Sequence, residues 1–379
     1  MRIGIDATPI INRSGTGYYT QKLTEFLGRA DGENEYIIFC PRGYKAYLEH
    51  RGMFDYPNYR LIELKARGVV PLYMWKQRSL PKEVRMLGID LFHFPAFIAS
   101  LKMDIPFIVT VHDLCFWLFP EAFSWLRRSY YRHIIPQSIR RCDSIIADSE
   151  STKEDIRTHM SAGNSRVHVV PLGVDPVRFY HISDEEKWAH IRQKHNLPNE
   201  FILYVGTLEP RKNVPRLIEA FKQGIVDPGL PHHLVIAGRK GWLYDDIFRE
   251  VKSLNLQQRV IFPGHVEHQD LAVLYSMARS VAYPSLYEGF GLPCIEAMSC
   301  ATPVITSNRS SLPELVGDCA LIVDPESVDS IAEALTKICT DDEQHRVLSE
   351  RGLQRARHFS WLTTAKKTVA AYNQTMHEA

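Results

Sequence analysis

No Cys-x-x-Cys pair occurs among the seven cysteines, at positions 40, 115, 142, 294, 300, 319 and 339. Their odd number and wide spacing exclude a disulfide framework and a zinc-finger site, and they fit a reducing compartment. No window approaches the about 18 uncharged apolar residues of a membrane helix. The start, Met1-Arg2-Ile3-Gly4-Ile5-Asp6, reads as a strand with no apolar leader, so a cytoplasmic chain is expected. A surplus of one charge is missing too. Lys and Arg number 45 against 44 Asp and Glu, a net charge of +1, which excludes a protein built to coat nucleic acid. Also absent are Asp-x-Asp, Gly-x-x-x-x-Gly-Lys-Ser/Thr and Gly-x-Ser-x-Gly. With them go the carboxylate pair that holds a divalent ion against a diphosphate, the P-loop NTPases and the common hydrolases.

What is present is ample core material. The 379 residues are 45% apolar, with 17 Phe, 17 Tyr and 6 Trp, which suits two domains with separate cores. Residues 1 to 180 hold 24 Lys+Arg against 19 Asp+Glu, and the remainder 21 against 25. A weakly basic first half suits an anionic partner or membrane surface, and an asymmetry this small is equally compatible with no role.

Short apolar, β-branched runs alternate with segments of helical period. Arg2 to Ile5, Tyr36 to Phe39, Leu91 to Phe94, Phe107 to Val111, Ser144 to Ala147 and Val167 to Val170 read as strands of one parallel sheet wrapped by helices. The rhythm restarts after a charged stretch, 183 to 199, with Phe201 to Val205, His233 to Ala237, Val260 to Phe262, Val281 to Tyr283, Val304 to Thr306 and Leu321 to Val323. Two α/β domains are expected, with a boundary near residue 178. The tail, Trp361 to Met376, spaces Leu362, Ala365, Val369 and Ala370 as a helix face. Open parallel sheets bind ligands beyond the carboxyl ends of their strands, so informative residues belong on the loops that follow strands.

Four such loops stand out. Tyr283 to Pro293 is a strand end, a Gly-bearing loop with Glu288, Phe290 and Gly291, and a helix start at Leu292-Pro293, which together make an anion site. Glu296 follows eight residues after Glu288. Two carboxylates so placed can hold a sugar ring and a ribose. Alternatively, Glu296 complements the helix dipole and Glu288 is a solvated loop residue. Gly206 to Asn213 brings Arg211 and Lys212 to a strand end, where they can neutralise a diphosphate without a metal; as an isolated pair they would be surface charges. Ser14-Gly15-Thr16-Gly17 allows backbone approach to an anion or is an ordinary turn, and Thr20 replaces the third glycine of a dinucleotide fingerprint. His112, after Phe107 to Val111, can act on a sugar or be a satisfied core histidine.

Together these residues resemble the retaining GT-B glycosyltransferases of family 4, mannosyltransferase-like branch. The likeness rests on EGFGLPCIEAM from Glu288, VGTLEPRKN from Val205, LVIAGRKGW from Leu234, PGHV from Pro263, VVPLGVDPVRF from Val169 and the opening IDATPIINRSGTGYYTQKL. The resemblance implies two Rossmann-like domains facing across a cleft, an acceptor-binding domain over 1–178 and a donor-binding domain over 179–357. It implies further a carboxyl-terminal helix over 358–379 that crosses back to the first domain. By the same resemblance Glu288 lies near the donor sugar and Glu296 holds the ribose. The backbone from Phe290 through Gly291 to Leu292 meets the diphosphate or sugar, and Lys212, with Arg211 beside it, pairs with the diphosphate. Gly15 and Gly17 close over the phosphates, Gly206 binds the donor from the turn that carries Arg211 and Lys212, and His112 lies near the donor sugar. Gly238, Arg239, His265 and Val266 fall where the base is contacted. Thr207 departs from the pattern, since many relatives carry Arg there.

The implied reaction moves a hexose, with mannose from GDP-mannose as the best guess, to a hydroxyl of a glycan or lipid-linked glycan with retention. No cofactor and no metal are expected. The acceptor is expected around Val69 to Arg78 and Phe116 to Arg132. The second stretch mixes Phe116, Trp117, Phe119, Phe123 and Trp125 with Arg127, Arg128 and Arg132, and reads either as buried helix packing or as a membrane contact. Alternatives are a GT-B-fold nucleotide-sugar epimerase or phosphorylase, or a non-catalytic nucleotide-sugar-binding subunit.

Overall fold

The computed structural model describes residues 1–12, 15–46, 56–65, 68–160 and 166–378, with Val69 and Glu378 described by backbone only. Two parallel sheets organise it. The first contains β1 (Arg2–Asp6), β2 (Glu35–Cys40), β3 (Tyr59–Glu63), β4 (Leu91–Phe94), β5 (Phe107–Val111), β6 (Ser144–Ala147) and β7 (Val167–Val169), in the order β3-β2-β1-β4-β5-β6-β7. The second contains β8 (Phe201–Val205), β9 (His233–Ala237), β10 (Val260–Gly264), β11 (Ser280–Tyr283), β12 (Val304–Ser307) and β13 (Leu321–Val323), in the order β10-β9-β8-β11-β12-β13.

Every residue of β4, β5 and β6 is buried, as is every residue of β11 and β12. This is what continuous apolar runs produce when helices cover both faces of a sheet. Only β3 escapes the sequence reading. It is an edge strand whose Arg60 and Glu63 are exposed, so it lacks the apolar run that marks the others. In each sheet the strand order reverses once, between β1 and β4 and between β8 and β11. Loops leaving those strands part to opposite sides and leave a crevice at the carboxyl ends.

The chain forms two compact units, Met1–Trp117 with Trp125–Gly173 and Trp361–Ala379, and Leu118–Ser124 with Val174–Ser360. The division falls after Gly173 rather than residue 178, and the tail joins the first unit from Trp361 rather than 358. The short segment from Leu118 belongs with the second unit, where the Phe119 and Tyr287 rings meet at 5.5 Å.

The tail helix, Trp361–Glu378, buries a different face from the one its aliphatic spacing suggests. Leu362 is 37% exposed, while Trp361, Thr364, Ala365, Thr368, Ala371, Tyr372 and Thr375 are buried. Threonine can line this face because each hydroxyl is satisfied. Thr368 and Thr375 donate to the carbonyls of Thr364 and Ala371, and Thr364 to that of Pro171. Small side chains also allow close packing on the helix Gly15–Ala30. Among the described residues no helix is long and apolar enough to cross a membrane.

Candidate active site

The reversal between β8 and β11 sets the loop after β8 beside the loop after β11. The Leu286 amide donates to the Arg211 carbonyl at 2.8 Å. Asn213 donates through Nδ2 to the carbonyls of Pro284 at 3.0 Å and Pro325 at 2.7 Å. Asn213 has φ +60°, ending the turn Pro210–Lys212 and starting the helix Val214–Phe221. Asparagine tolerates that left-handed geometry better than most residues, and the kink aims Arg211 and Lys212 at the neighbouring loop.

There the two cations meet one carboxylate. Lys212 Nζ donates to Glu288 Oε1 at 2.6 Å and to Tyr283 Oη at 2.7 Å. Arg211 Nη1 donates to Glu288 Oε2 at 2.9 Å and to the Tyr287 carbonyl at 2.9 Å, and its Nε lies 2.7 Å from Glu209 Oε1. Glu288 and Lys212 are both buried, so neither is a solvated surface charge. Burial pushes the Glu288 carboxyl up, but Lys212 and Arg211 outweigh it and hold the pKa down at about 2. Burial and the nearby Arg211 lower the Lys212 pKa.

Glu296 sits in the same segment under opposite conditions. It is the fifth residue of the helix Leu292–Ser299, beyond the first turn, so complementing the helix dipole does not explain it. It is buried, with one hydrogen bond from Tyr275 Oη to Oε2 at 3.0 Å. Burial without a cation pushes its pKa up to about 7.

The loop between the two glutamates is held from behind. Ser311 Oγ donates to the carbonyls of Glu288 and Phe290, both at 3.0 Å, and the Glu288 amide donates to Ser310 Oγ at 2.8 Å. Gly291 has φ +104°, and a Cβ there would lie 2.7 Å from Leu312 Cδ2. With these carbonyls engaged behind the loop, the amides of Phe290, Gly291 and Leu292 at the helix start have no acceptor among the described residues. An anion is the natural partner for such a group of N–H donors.

The neighbouring strand ends carry glycine for steric reasons. A Cβ on Gly238 would lie 1.8 Å from the Gly206 carbonyl oxygen, and the Gly206 and Gly238 amides donate to the carbonyls of Ala237 and Gly264. Close approach of backbone accounts for Gly238, whereas a Cβ on Gly206 would lie 2.8 Å from the Tyr204 Oη. Exposed Arg239 donates to His265 Nε2 at 2.9 Å, bringing two expected base-contacting residues together, while the Val266 side chain is buried. Thr207 is exposed on the adjoining turn.

In the first unit, His112 leaves β5 with both ring nitrogens engaged. Nδ1 lies 2.7 Å from Asp148 Oδ2, and Nε2 lies 2.9 Å from the Pro95 carbonyl. Both partners are oxygen acceptors, an arrangement that a doubly protonated ring satisfies. Burial opposes that charge, but Asp148 outweighs it and raises the His112 pKa. This geometry makes His112 a donor rather than a proton acceptor. Gly17 is tightly enclosed, since a Cβ would lie 1.9 Å from the Asn12 carbonyl oxygen, whereas nothing lies within 4 Å of a Cβ on Gly15. Ser14 lies outside the described residues.

Sequence reasoning missed the partners. Tyr283 reads only as the end of a strand, and Tyr275, Asp148, Ser310 and Ser311 belong to no recognisable pattern.

A family profile described as "Glycosyl transferases group 1" matches residues 187–355, and one described as "Glycosyltransferase Family 4" matches residues 13–178. The O-antigen chain mannosyltransferase B of Escherichia coli is 31% identical over 283 residues, 74% of this chain and 74% of that protein. The serotype-specific mannosyltransferase WbdA of Escherichia coli is 29% identical over 66% of this chain but 31% of its own length, so the chain spans about a third of that relative. Among solved structures, a sucrose-phosphate synthase from Thermosynechococcus elongatus matches with a TM-score of 0.75 at 25% identity, covering 100% of both chains. With its two parallel Rossmann-like sheets, the chain has the GT-B fold.

Proposed function

The chain belongs to the group 1, family 4 glycosyl transferases, and on that premise we propose that it transfers mannose from GDP-mannose to a hydroxyl of a glycan or lipid-linked glycan, with retention at the anomeric carbon. The observation that carries this reading is the cluster of buried Lys212 and Glu288 with half-buried Arg211, beside amides at a helix start that have no acceptor among the described residues. It offers cationic and N–H donors to a diphosphate and a carboxylate to sugar hydroxyls. The choice of mannose rests on the names of the relatives.

In this mechanism the bond from the anomeric carbon to the diphosphate oxygen breaks, and its electron pair stays on the diphosphate. Lys212, Arg211 and the amides of Phe290 to Leu292 stabilise that charge. The acceptor oxygen bonds to the anomeric carbon on the face the diphosphate leaves, and its proton passes to the departing phosphate oxygen. Glu288 and Glu296 hold the sugar and the ribose, while His112 orients the sugar as a donor. The basic side chains take the part a divalent ion plays in other transferases, so turnover is expected to survive chelation.

The test supplies the chain with a panel of nucleotide sugars and oligosaccharide acceptors, with and without a chelator, and reads the product anomer by NMR. Transfer from GDP-mannose to give an α-mannoside is expected. A β-linked product, a free altered sugar, or transfer from another donor in preference would overturn the proposal.

A further inference from the structure

Among the described residues other than glycine with a left-handed backbone, three are asparagines, which tolerate it, and Phe97, at φ +54°, is the one aromatic. A bulky side chain persists in that conformation only where the surroundings impose it. Here they do. The Phe97 amide donates to the Thr110 carbonyl at 2.9 Å. Lys76 Nζ, held by Asp6 at 2.6 Å, donates to the Ile98 carbonyl at 3.1 Å. Gln77 brackets the next residues, donating to the Ala99 carbonyl at 3.0 Å and accepting from the Leu101 amide at 2.9 Å. The Ala99 amide donates to Ser138 Oγ at 3.1 Å. Lys76 and Gln77 belong to the π-helical turn Trp75–Ser79, a widening common beside working sites.

The segment held in this way clasps His112. The Pro95 carbonyl accepts from Nε2, and two residues later the Phe97 ring stands 5.4 Å from the imidazole at 77°. The Tyr19 ring stands 4.7 Å from it at 78°. The bonds to Pro95 and Asp148 run along the two N–H directions of the imidazole, which leaves the ring able to rock about the line joining them. Two rings nearly perpendicular to it oppose that motion. Tyr19 is wholly buried, with Oη 3.1 Å from Thr110 Oγ1, which lies 2.8 Å from His93 Nε2. Phe97 is half-buried and has no polar group to anchor its ring. Its place is set by its backbone, since a return of φ to the usual negative range would carry the ring away.

We propose that Phe97 is a positioning residue for the transfer reaction, its left-handed backbone setting the ring that keeps the His112 imidazole in one orientation at the carboxyl end of β5. The inference rests on the reading of His112 as a donor that orients the sugar.

The experiment compares Phe97→Gly, Phe97→Leu and Phe97→Tyr with wild type in the full chain. It reads kcat, the KM for the donor, the unfolding midpoint and the imidazole N–H signals of histidine-labelled protein, with His112→Gln to identify those of His112. Glycine and leucine both remove the ring and should lower kcat by roughly 10-fold to 100-fold, the reach of a small misplacement, with the donor KM unchanged. Tyrosine should retain turnover. Glycine adopts a positive φ freely and leucine does not, so the midpoints of those two variants should differ while their turnover falls alike. Exchange of the His112 ring protons with water should speed up in both, measured with neither donor nor acceptor present. Wild-type kcat in the glycine and leucine variants, turnover that tracks the midpoint, or unchanged His112 signals would overturn the proposal. A wild-type chain that transfers no hexose would overturn the proposed function, and the imidazole signals would still judge the clamp.

Discussion

Glu288 and Glu296 lie eight residues apart on one loop and helix, yet their carboxyls are driven in opposite directions. Lys212 and Arg211 hold Glu288 at about 2, whereas burial with one hydroxyl partner lifts Glu296 to about 7. Environments that split two like groups are a common mark of a working site.

The split has opposite consequences for stability. The folded pKa of Glu296 is raised, so its contribution is present below about 4.5 and lost as pH rises through about 7, an effect of roughly 3 kcal/mol. That of Glu288 is depressed, so its contribution is present above about 4.5 and lost as pH falls through about 2. Urea unfolding of wild type and Glu296→Gln across pH 4 to 8 should give curves that diverge over the upper window. Parallel curves would remove the raised pKa.

Donor binding should follow the same group. If Glu296 accepts ribose hydroxyl protons as a carboxylate, affinity for the donor should fall as pH drops below about 7, and Glu296→Gln should flatten that dependence. Calorimetric titration at several pH values measures it.

Lys212→Met should lower turnover on the order of 10²-fold to 10³-fold, the usual loss for one charge-stabilising donor. It should also cost about 3 kcal/mol of stability, because Glu288 then keeps one cation instead of two. Adding Glu288→Gln should restore part of the stability and none of the turnover. Recovery of both together would mean that the pair is only structural.

Gly15 and Gly17 should separate. Gly17→Ala drives a methyl into the Asn12 carbonyl and should destabilise the first unit. Gly15→Ala meets nothing within 4 Å and should raise stability by roughly 0.5–1 kcal/mol. If Gly15 closes on the donor phosphates, the same variant should nevertheless raise the KM for the donor. An unchanged KM would leave Gly15 as an ordinary residue at a helix start.

Asp148→Asn should remove the carboxylate that raises the His112 pKa and favours its doubly donating form. Losing a hydrogen bond to a charged group is worth about 1.5–3 kcal/mol, so kcat should fall roughly tenfold to a hundredfold, and an alkaline limb should shift to lower pH. A uniform loss at every pH would point to packing alone.

Much of this was legible in the chain. Twelve strands announce themselves as apolar runs, most sharply β4, β5, β6, β11 and β12, where both faces of a parallel sheet are buried, and β3 is hidden because this edge strand carries exposed Arg60 and Glu63. The glutamates, Arg211 and Lys212 are visible because glycine, proline and charge crowd loops directly after strands. Tyr275, Asp148 and Ser311 were not, because a residue that satisfies a buried polar group needs no particular sequence neighbour.

By itself, the order of residues determined two parallel-sheet domains, their strand-end loops and the family. Tertiary structure alone decided which charges meet. Lys212 and Glu288 are 76 residues apart and His112 and Asp148 are 36 apart, and nothing local selects those partners. The first pair forms because β11 lies beside β8, and the second because β6 lies beside β5. The tail shows the same division, since its period specifies a helix, while contact with Gly15–Ala30 selects a buried face of threonine and alanine over the aliphatic one.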